Sequence, residues 1–282
     1  MLTILPAIMN KLFGKMLIRK LRPIWLLLML CGGNGFVMTQ ERRNDPKMPT
    51  LWIIGDSTVR NSTKGQVGWG DPIAELFDRT RIRVENRALG GRSSRTFQTQ
   101  GLWDQVLAEV KPGDFVLMQF GHNDSSAVND DSRARGTLKG IGDESEEIDN
   151  ILTKKHETVH TYGWYMRKYI DDTKSKGAIA IVLSPVPRNM WENGKVRRAA
   201  GDYGGWAAAV AKSQGAYFLD LNELVARRYE AIGPDKVKEL YFLEDHTHTT
   251  LAGAQLTAEI VVAGLRGLKG CQLKKYLLKQ RP

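Results

Sequence analysis

The chain has 282 residues, 42% of them apolar, enough for a sizeable core in one large domain or two small ones. Its formal charge of +10 would suit a nucleic-acid binder, but five basic residues and no acid precede residue 31, which leaves 36 basic against 31 acidic residues and a net +5. The remaining Lys and Arg are spread along the chain with no RNA- or DNA-reading motif, which argues against a nucleic-acid partner and leaves an acidic substrate open.

The first element is a leader. Lys15 to Arg22 is basic and Ile24 to Leu30 is apolar and uncharged, the form of an export signal, with Met16 as an alternative start. The apolar run falls short of the about 20 residues that a membrane-spanning helix needs. Cys31 follows directly, and Leu28-Met29-Leu30-Cys31 loosely resembles a lipoprotein cleavage box without its usual small residue. Ordinary cleavage is the simpler expectation and a lipid anchor through Cys31 the alternative. Either destination is outside the cytoplasm: periplasmic, anchored to the outer membrane, or extracellular. The chain thus divides into a signal peptide over 1–33, a linker over 34–48, a folded domain over 49–270 and a basic C-terminal tail over 271–282. Only Cys271 is left in the folded part, so no internal disulfide can form.

Within the domain, five short runs rich in β-branched or aromatic residues read as strands: Leu51 to Ile54, Ile82 to Glu85, Phe115 to Phe120, Ile179 to Leu183 and Ala216 to Leu221. Helical patterns lie between and after them, at Pro72 to Phe77, Leu102 to Val110, Thr158 to Ser175, Trp206 to Gln214 and Leu251 to Leu265. Such alternation predicts a parallel sheet covered on both faces, a three-layer α/β/α domain. Asp124 to Lys155 interrupts the alternation as a long polar insertion with an acidic cluster, either a functional loop beside the site or a solvated surface segment.

Candidate chemistry lies at the strand ends, where parallel sheets place their sites. Ile53-Ile54-Gly55-Asp56-Ser57-Thr58 ends an apolar run in the form of a nucleophile turn, and Asp245 and His248 lie far downstream in Glu-Asp-His-Thr-His. Serine needs a base to take its proton, and the base needs an acid to fix its tautomer. Ser early with Asp-x-x-His late matches neither the chymotrypsin nor the subtilisin order, and the three-residue spacing of Asp and His departs from the α/β-hydrolase pattern. His246 competes with His248 as base, but a three-residue spacing on a turn lets carboxylate and imidazole meet, whereas adjacent side chains diverge. Asp56 reads as a turn stabiliser. Gly91, in Leu89-Gly90-Gly91-Arg92-Ser93, and Asn123, in Gly121-His122-Asn123-Asp124, supply a backbone and a side-chain N–H that with the Ser57 N–H would hold an oxyanion.

These blocks together resemble the SGNH (GDSL-like) hydrolase superfamily over roughly residues 50 to 265, closest to the rhamnogalacturonan acetylesterase group. Gly55-Asp56-Ser57-Thr58, Gly91-Arg92-Ser93, Phe120-Gly121-His122-Asn123-Asp124, the Arg135 to Gly142 segment and Asp245-His246-Thr247-His248 carry the resemblance. It implies a five-stranded flavodoxin-like sheet and ester hydrolysis without metal or cofactor, with Ser57 as nucleophile, His248 as base and Asp245 as its orienting acid. The implied substrate is an acetylated plant polysaccharide, most readily the rhamnogalacturonan of pectin, with acetylxylan, other carbohydrate esters or longer acyl chains as alternatives.

Arg92, Asp124 and Trp191 are candidate substrate contacts. Arg60, Arg87, Arg95 and Arg188 also lie near strand ends and could meet uronate carboxylates, and Trp69 could stack on a sugar. Two readings from other classes remain. His156-Glu157-Thr158-Val159-His160 fits the His-Glu-x-x-His zinc pattern if it lies on a helix, and a non-catalytic carbohydrate-binding protein could keep the same fold.

Overall fold

In the computed structural model, which describes residues 48–199 and 201–279, alternate side chains of each central strand go to different cores. In β1 (Thr50–Gly55), Leu51 and Ile53 join one cluster while Trp52 and Ile54 join a second on the opposite face. The split recurs in β3 (Phe115–Gln119), where Phe115 and Leu117 face the first cluster and Val116 and Met118 the second, and in β6 (Ile179–Leu183). A period of two with both sets apolar is what a sheet covered on both faces requires. With β2 (Arg83–Asn86) and β9 (Tyr217–Leu219) the order is β2-β1-β3-β6-β9, all parallel. This is the flavodoxin-like order, whose reversal of direction lies between β1 and β3.

The covering helices sort by the cluster they feed. Helices α1 (Ser94–Thr99), α2 (Leu102–Glu109), α3 (Tyr162–Ser175) and α4 (Tyr203–Ser213) supply Phe97, Trp103, Tyr169 and Val210 to the second cluster. On the other face lie α5 (Leu221–Ile232), α6 (Pro234–Tyr241), α7 (Leu251–Gly267) and 3-10 turns at Pro72–Leu76 and Gln272–Tyr276. Side chains fix several starts: the hydroxyls of Ser93, Thr161 and Thr250 and the Asp220 carboxylate accept from the backbone N–H groups of Thr96, Trp164, Gly253 and Glu223, each capping contact contributing about 1 kcal/mol.

The five expected strands are the five strands of the sheet, and the three-layer α/β/α expectation holds. Three local expectations change. The segment from Thr158 does not begin a helix: β5 (His156–His160) pairs antiparallel with β4 (Ser145–Asp149), and α3 starts only after the Thr161 cap. The 72–77 helix is a 3-10 turn. A second hairpin, β7 (Trp191–Glu192) with β8 (Lys195–Val196), carries the loop after β6. The tail after residue 270 packs on the core through buried Cys271, Leu273 and Leu277. The signal segment, Cys31 and the linker up to residue 47 lie outside the described residues.

Candidate active site

The nucleophile turn is built from buried polar contacts. Gly55 ends β1 where a Cβ would come within 2.6 Å of the Gln119 carbonyl oxygen and of Val59 Cγ2, so only glycine fits the approach to β3. Asp56 is fully buried, and its Oδ1 accepts from Thr58 N at 2.8 Å and Thr58 Oγ1 at 2.7 Å. Gln119 Nε2 donates to Thr58 Oγ1 at 2.6 Å, and Trp69 Nε1 donates to Gln119 Oε1 at 3.0 Å. Asp56 is therefore the turn stabiliser that its position beside the serine suggested, and Ser57 stands beside the β1/β3 switch point, where doubly wound sheets bind ligands.

The loop before α7 brings up the base. His248 Nε2 lies 2.9 Å from Ser57 Oγ across 191 residues of sequence, and His248 Nδ1 lies 2.7 Å from Asp245 Oδ2. Asp245 Oδ1 accepts from the backbone N–H groups of Thr247 at 2.6 Å and His248 at 2.7 Å. Partial burial works against the Asp245 charge, but the hydrogen bonds from His248 and the two backbone amides outweigh it and hold the carboxyl below its ordinary pKa. An ionised Asp245 on Nδ1 keeps the proton there and leaves Nε2 as the acceptor for the serine proton. His246 turns its Nδ1 to Thr247 Oγ1 instead.

The glycine loop after β2 meets both the serine and Asn123. Gly91 has φ +78°, a left-handed conformation that favours glycine, and a Cβ on Gly90 would sit 3.5 Å from Ser57 Cβ. Asn123 Nδ2 donates one N–H to the Arg92 carbonyl at 2.8 Å, which fixes the amide plane; the amide carries a second N–H. Arg135 Nη1 donates to the Gly91 carbonyl at 2.9 Å, tying the glycine loop in place.

Sequence reasoning missed His122. Its Nε2 donates to the Val186 carbonyl at 2.9 Å and its Nδ1 lies 3.2 Å from Asp56 Oδ2, so it joins the nucleophile turn to the loop after β6. That loop also reaches the segment that carries the base, since Asn189 N donates to the His246 carbonyl at 2.7 Å. No spacing rule announces such a partner; only the fold brings residues 56, 122 and 186 together.

Three expected substrate contacts, Asp124, Arg95 and Trp69, are corrected by their burial. Asp124 is fully buried, with Oδ1 accepting from the Ser94 backbone N–H and hydroxyl, so it supports the wall rather than touching substrate. Arg95 is likewise buried against Glu157 and the carbonyls of Val128 and Gly136. Arg87 lies over Trp52 and pairs with Glu109. Trp69 is in the core, and Trp191 packs against it with its N–H on Asn189 Oδ1. The zinc pattern fails on geometry. A strand separates residues four apart by about 13 Å, too far for one ion, and Glu157 is taken by Arg95 and Asn150.

A cleft of about 310 Å³ opens beside His122, lined also by Val186, Arg188, Arg197 and Tyr203 among others. Beyond Gly91 a second, of about 400 Å³, is lined by Arg92, Arg133 and Arg135.

Comparison with known proteins agrees with this geometry. The rhamnogalacturonan acetylesterase of Emericella nidulans is 32% identical over 210 residues, covering 74% of this chain and 82% of that protein. The rhamnogalacturonan acetylesterase RhgT of Bacillus subtilis is 28% identical, covering 82% of this chain and 94% of its own. Among solved structures, the Bacillus subtilis protein YxiM superposes with a TM-score of 0.63 at 28% identity over 79% of this chain, which spans only 58% of that one. The acetylxylan esterase Axe2 of Geobacillus stearothermophilus shares the fold at a TM-score of 0.54 and 19% identity, covering 83% of this chain and 97% of its own. The profile of GDSL-like lipases and acylhydrolases matches residues 53–256, a span that holds Ser57, Gly91, Asn123, Asp245 and His248, and the chain belongs to this family of carboxylic ester hydrolases.

Proposed function

We propose that this chain is an exported carbohydrate esterase that removes O-acetyl groups from rhamnogalacturonan. The observation that carries the mechanism is the pair of contacts on His248, 2.9 Å to Ser57 Oγ and 2.7 Å to Asp245. His248 takes the Ser57 proton as Oγ attacks the acetyl carbonyl, and the tetrahedral oxyanion is held by the N–H groups of Ser57, Gly91 and Asn123. The C–O bond to the sugar breaks as His248 returns its proton to the leaving hydroxyl, giving an acetyl-enzyme. Water attacks this ester with His248 again as base, releasing acetate and restoring Ser57. Each step balances with the chain's own residues.

The substrate assignment is supported by the names of the curated relatives and by the cleft beside His122. Its walls carry Arg188, Arg197, Arg198 and Asp202, which suit a polar, anionic carbohydrate and oppose a long acyl chain. Export rests on the form of the leader, and release of the leader segment during secretion, with or without lipid on Cys31, is part of the proposal. Acetate release from acetylated rhamnogalacturonan and acetylated xylan, for the wild type and Ser57→Ala, tests it. Serine-dependent release from the pectic substrate is the expected result; release that survives the Ser57 change refutes the mechanism, and preference for xylan refutes the substrate.

A further inference from the structure

Two arginine-lined clefts reach the loops that surround the Ser57 turn, and the insertion after β3 adds Arg133 and Arg135 to the one that holds Gly91 and Arg92. Gly91 and Arg92 follow β2, which pairs with one edge of β1, whereas residues 121–122 and 185–190 follow β3 and β6 beyond its other edge. The β6-side cleft reaches the catalytic turn through His122, which bonds Asp56, and the β2-side cleft through Gly91, whose neighbour Gly90 lies against Ser57.

The guanidiniums in these clefts differ in how far they are already used. On the β6 side, Arg198 is committed to Glu223 and Glu230, while Arg188 and Arg197 have no acidic partner among the described residues. One carboxylate, Asp202, lines the same cleft and leaves an excess of positive charge. On the β2 side no acid among the described residues lines the cleft. Arg135 and Arg92 spend N–H groups on the carbonyls of Gly91 and Gly90, yet Arg92 Nε is buried with no partner among the described residues. Arg133 extends from a prebuilt loop: Asp130 Oδ1 accepts from the backbone N–H groups of Ser132, Arg133 and Ala134, which pulls its pKa down to about 2.

We infer that the acetylated polymer lies across Ser57 with one uronate carboxylate in the Arg188/Arg197 cleft and another in the Arg92/Arg133 cleft. The inference rests on the pectic reading above and adds the direction in which the chain crosses the site. Galacturonate alternates with neutral rhamnose in rhamnogalacturonan, so a carboxylate recurs at every second unit and the chain can meet a cation in each cleft, whereas a neutral xylan gains nothing from either. Arginine suits this task because its planar fork matches a carboxylate and keeps its charge when partly dehydrated.

The test compares Arg133→Gln, Arg197→Gln and the double variant with the wild type, following acetate release from acetylated rhamnogalacturonan oligosaccharides. The same oligosaccharides methyl-esterified on their uronates, acetylated xylo-oligosaccharides and 4-nitrophenyl acetate serve as comparisons. Each single change is expected to raise KM for the acidic oligosaccharide about tenfold and flatten its salt dependence, with a much smaller rise for the methyl-esterified oligosaccharide. Wild-type KM values in both variants, or an effect of only one of them, overturn the two-cleft arrangement while the pectic assignment stands. A wild type that prefers the methyl-esterified or xylan substrate overturns the pectic assignment itself, and with it the inference.

Discussion

Replacing Asp124 with Asn should stabilise the protein at neutral and alkaline pH and do little near pH 4. The carboxyl is fully buried beside Asn123 in the chain; Oδ1 accepts from Ser94, and Oδ2 is buried with no partner among the described residues. Burial drives its pKa up from 3.8 to about 7 against the opposing hydrogen bonds from Ser94, and the nearby Asp56 charge adds to the rise. The native state therefore keeps a proton that the unfolded chain gives up above pH 4. Stability drains away as pH climbs from about 4 to about 7 and is level beyond. At about 1.4 kcal/mol per tenfold difference in proton affinity, the full penalty is on the order of 4 kcal/mol. An amide keeps the acceptor for Ser94 and has no proton to lose. Urea unfolding of both proteins at pH values from 4.5 to 8.5 measures the difference, which should grow with pH and plateau above 7. A difference that is constant with pH, or an Asn variant that becomes less stable than the wild type as pH rises, would show that Asp124 is ionised in the native state and refute the argument.

Other changes separate the parts of the site. Asp245→Asn should cut kcat by about a thousandfold or more, since the carboxylate that holds the His248 tautomer is gone; steady-state rates on 4-nitrophenyl acetate read this, with circular dichroism unchanged. Asn123→Ala should lower kcat about 100- to 1000-fold with little change in KM, as removal of an oxyanion donor does, and a fall confined to KM would assign Asn123 to binding instead. Leu117→Ala, at a fully buried β3 position, should cost about 2 to 5 kcal/mol in chemical unfolding, while an effect below 1 kcal/mol would contradict the close packing of that cluster.

The sheet was legible because its strands are short β-branched runs set apart by helices, and burial on both faces leaves little room for polar residues. The triad was legible because Gly-Asp-Ser and Asp-x-x-His keep their geometry within a few residues each. Elements that rest on distant partners were not. The β5 segment His156–His160 reads as the start of a helix until Ser145–Asp149 is laid beside it. Helices α1, α5 and α6 were passed over although Ser93 with Thr96 and Asp220 with Glu223 mark two of their starts, because they are short or follow a strand directly. Among the substrate candidates the sequence could show which arginines lie near strand ends, yet only packing separates buried Arg95 from half-exposed Arg188.

The contact between Ser57 and His248 spans 191 residues, and the fold has to be nearly finished before it exists. The serine belongs to the first strand, whereas the imidazole arrives with the loop that leads into α7, after all five strands have been made. A partly folded chain can own a formed nucleophile turn and still be chemically silent. Non-local parallel pairing is slow to form, so regained esterase activity after dilution from denaturant would mark the docking of the last helix, later than the return of helical content. Catalysis here doubles as a reporter that the whole chain has reached its native arrangement.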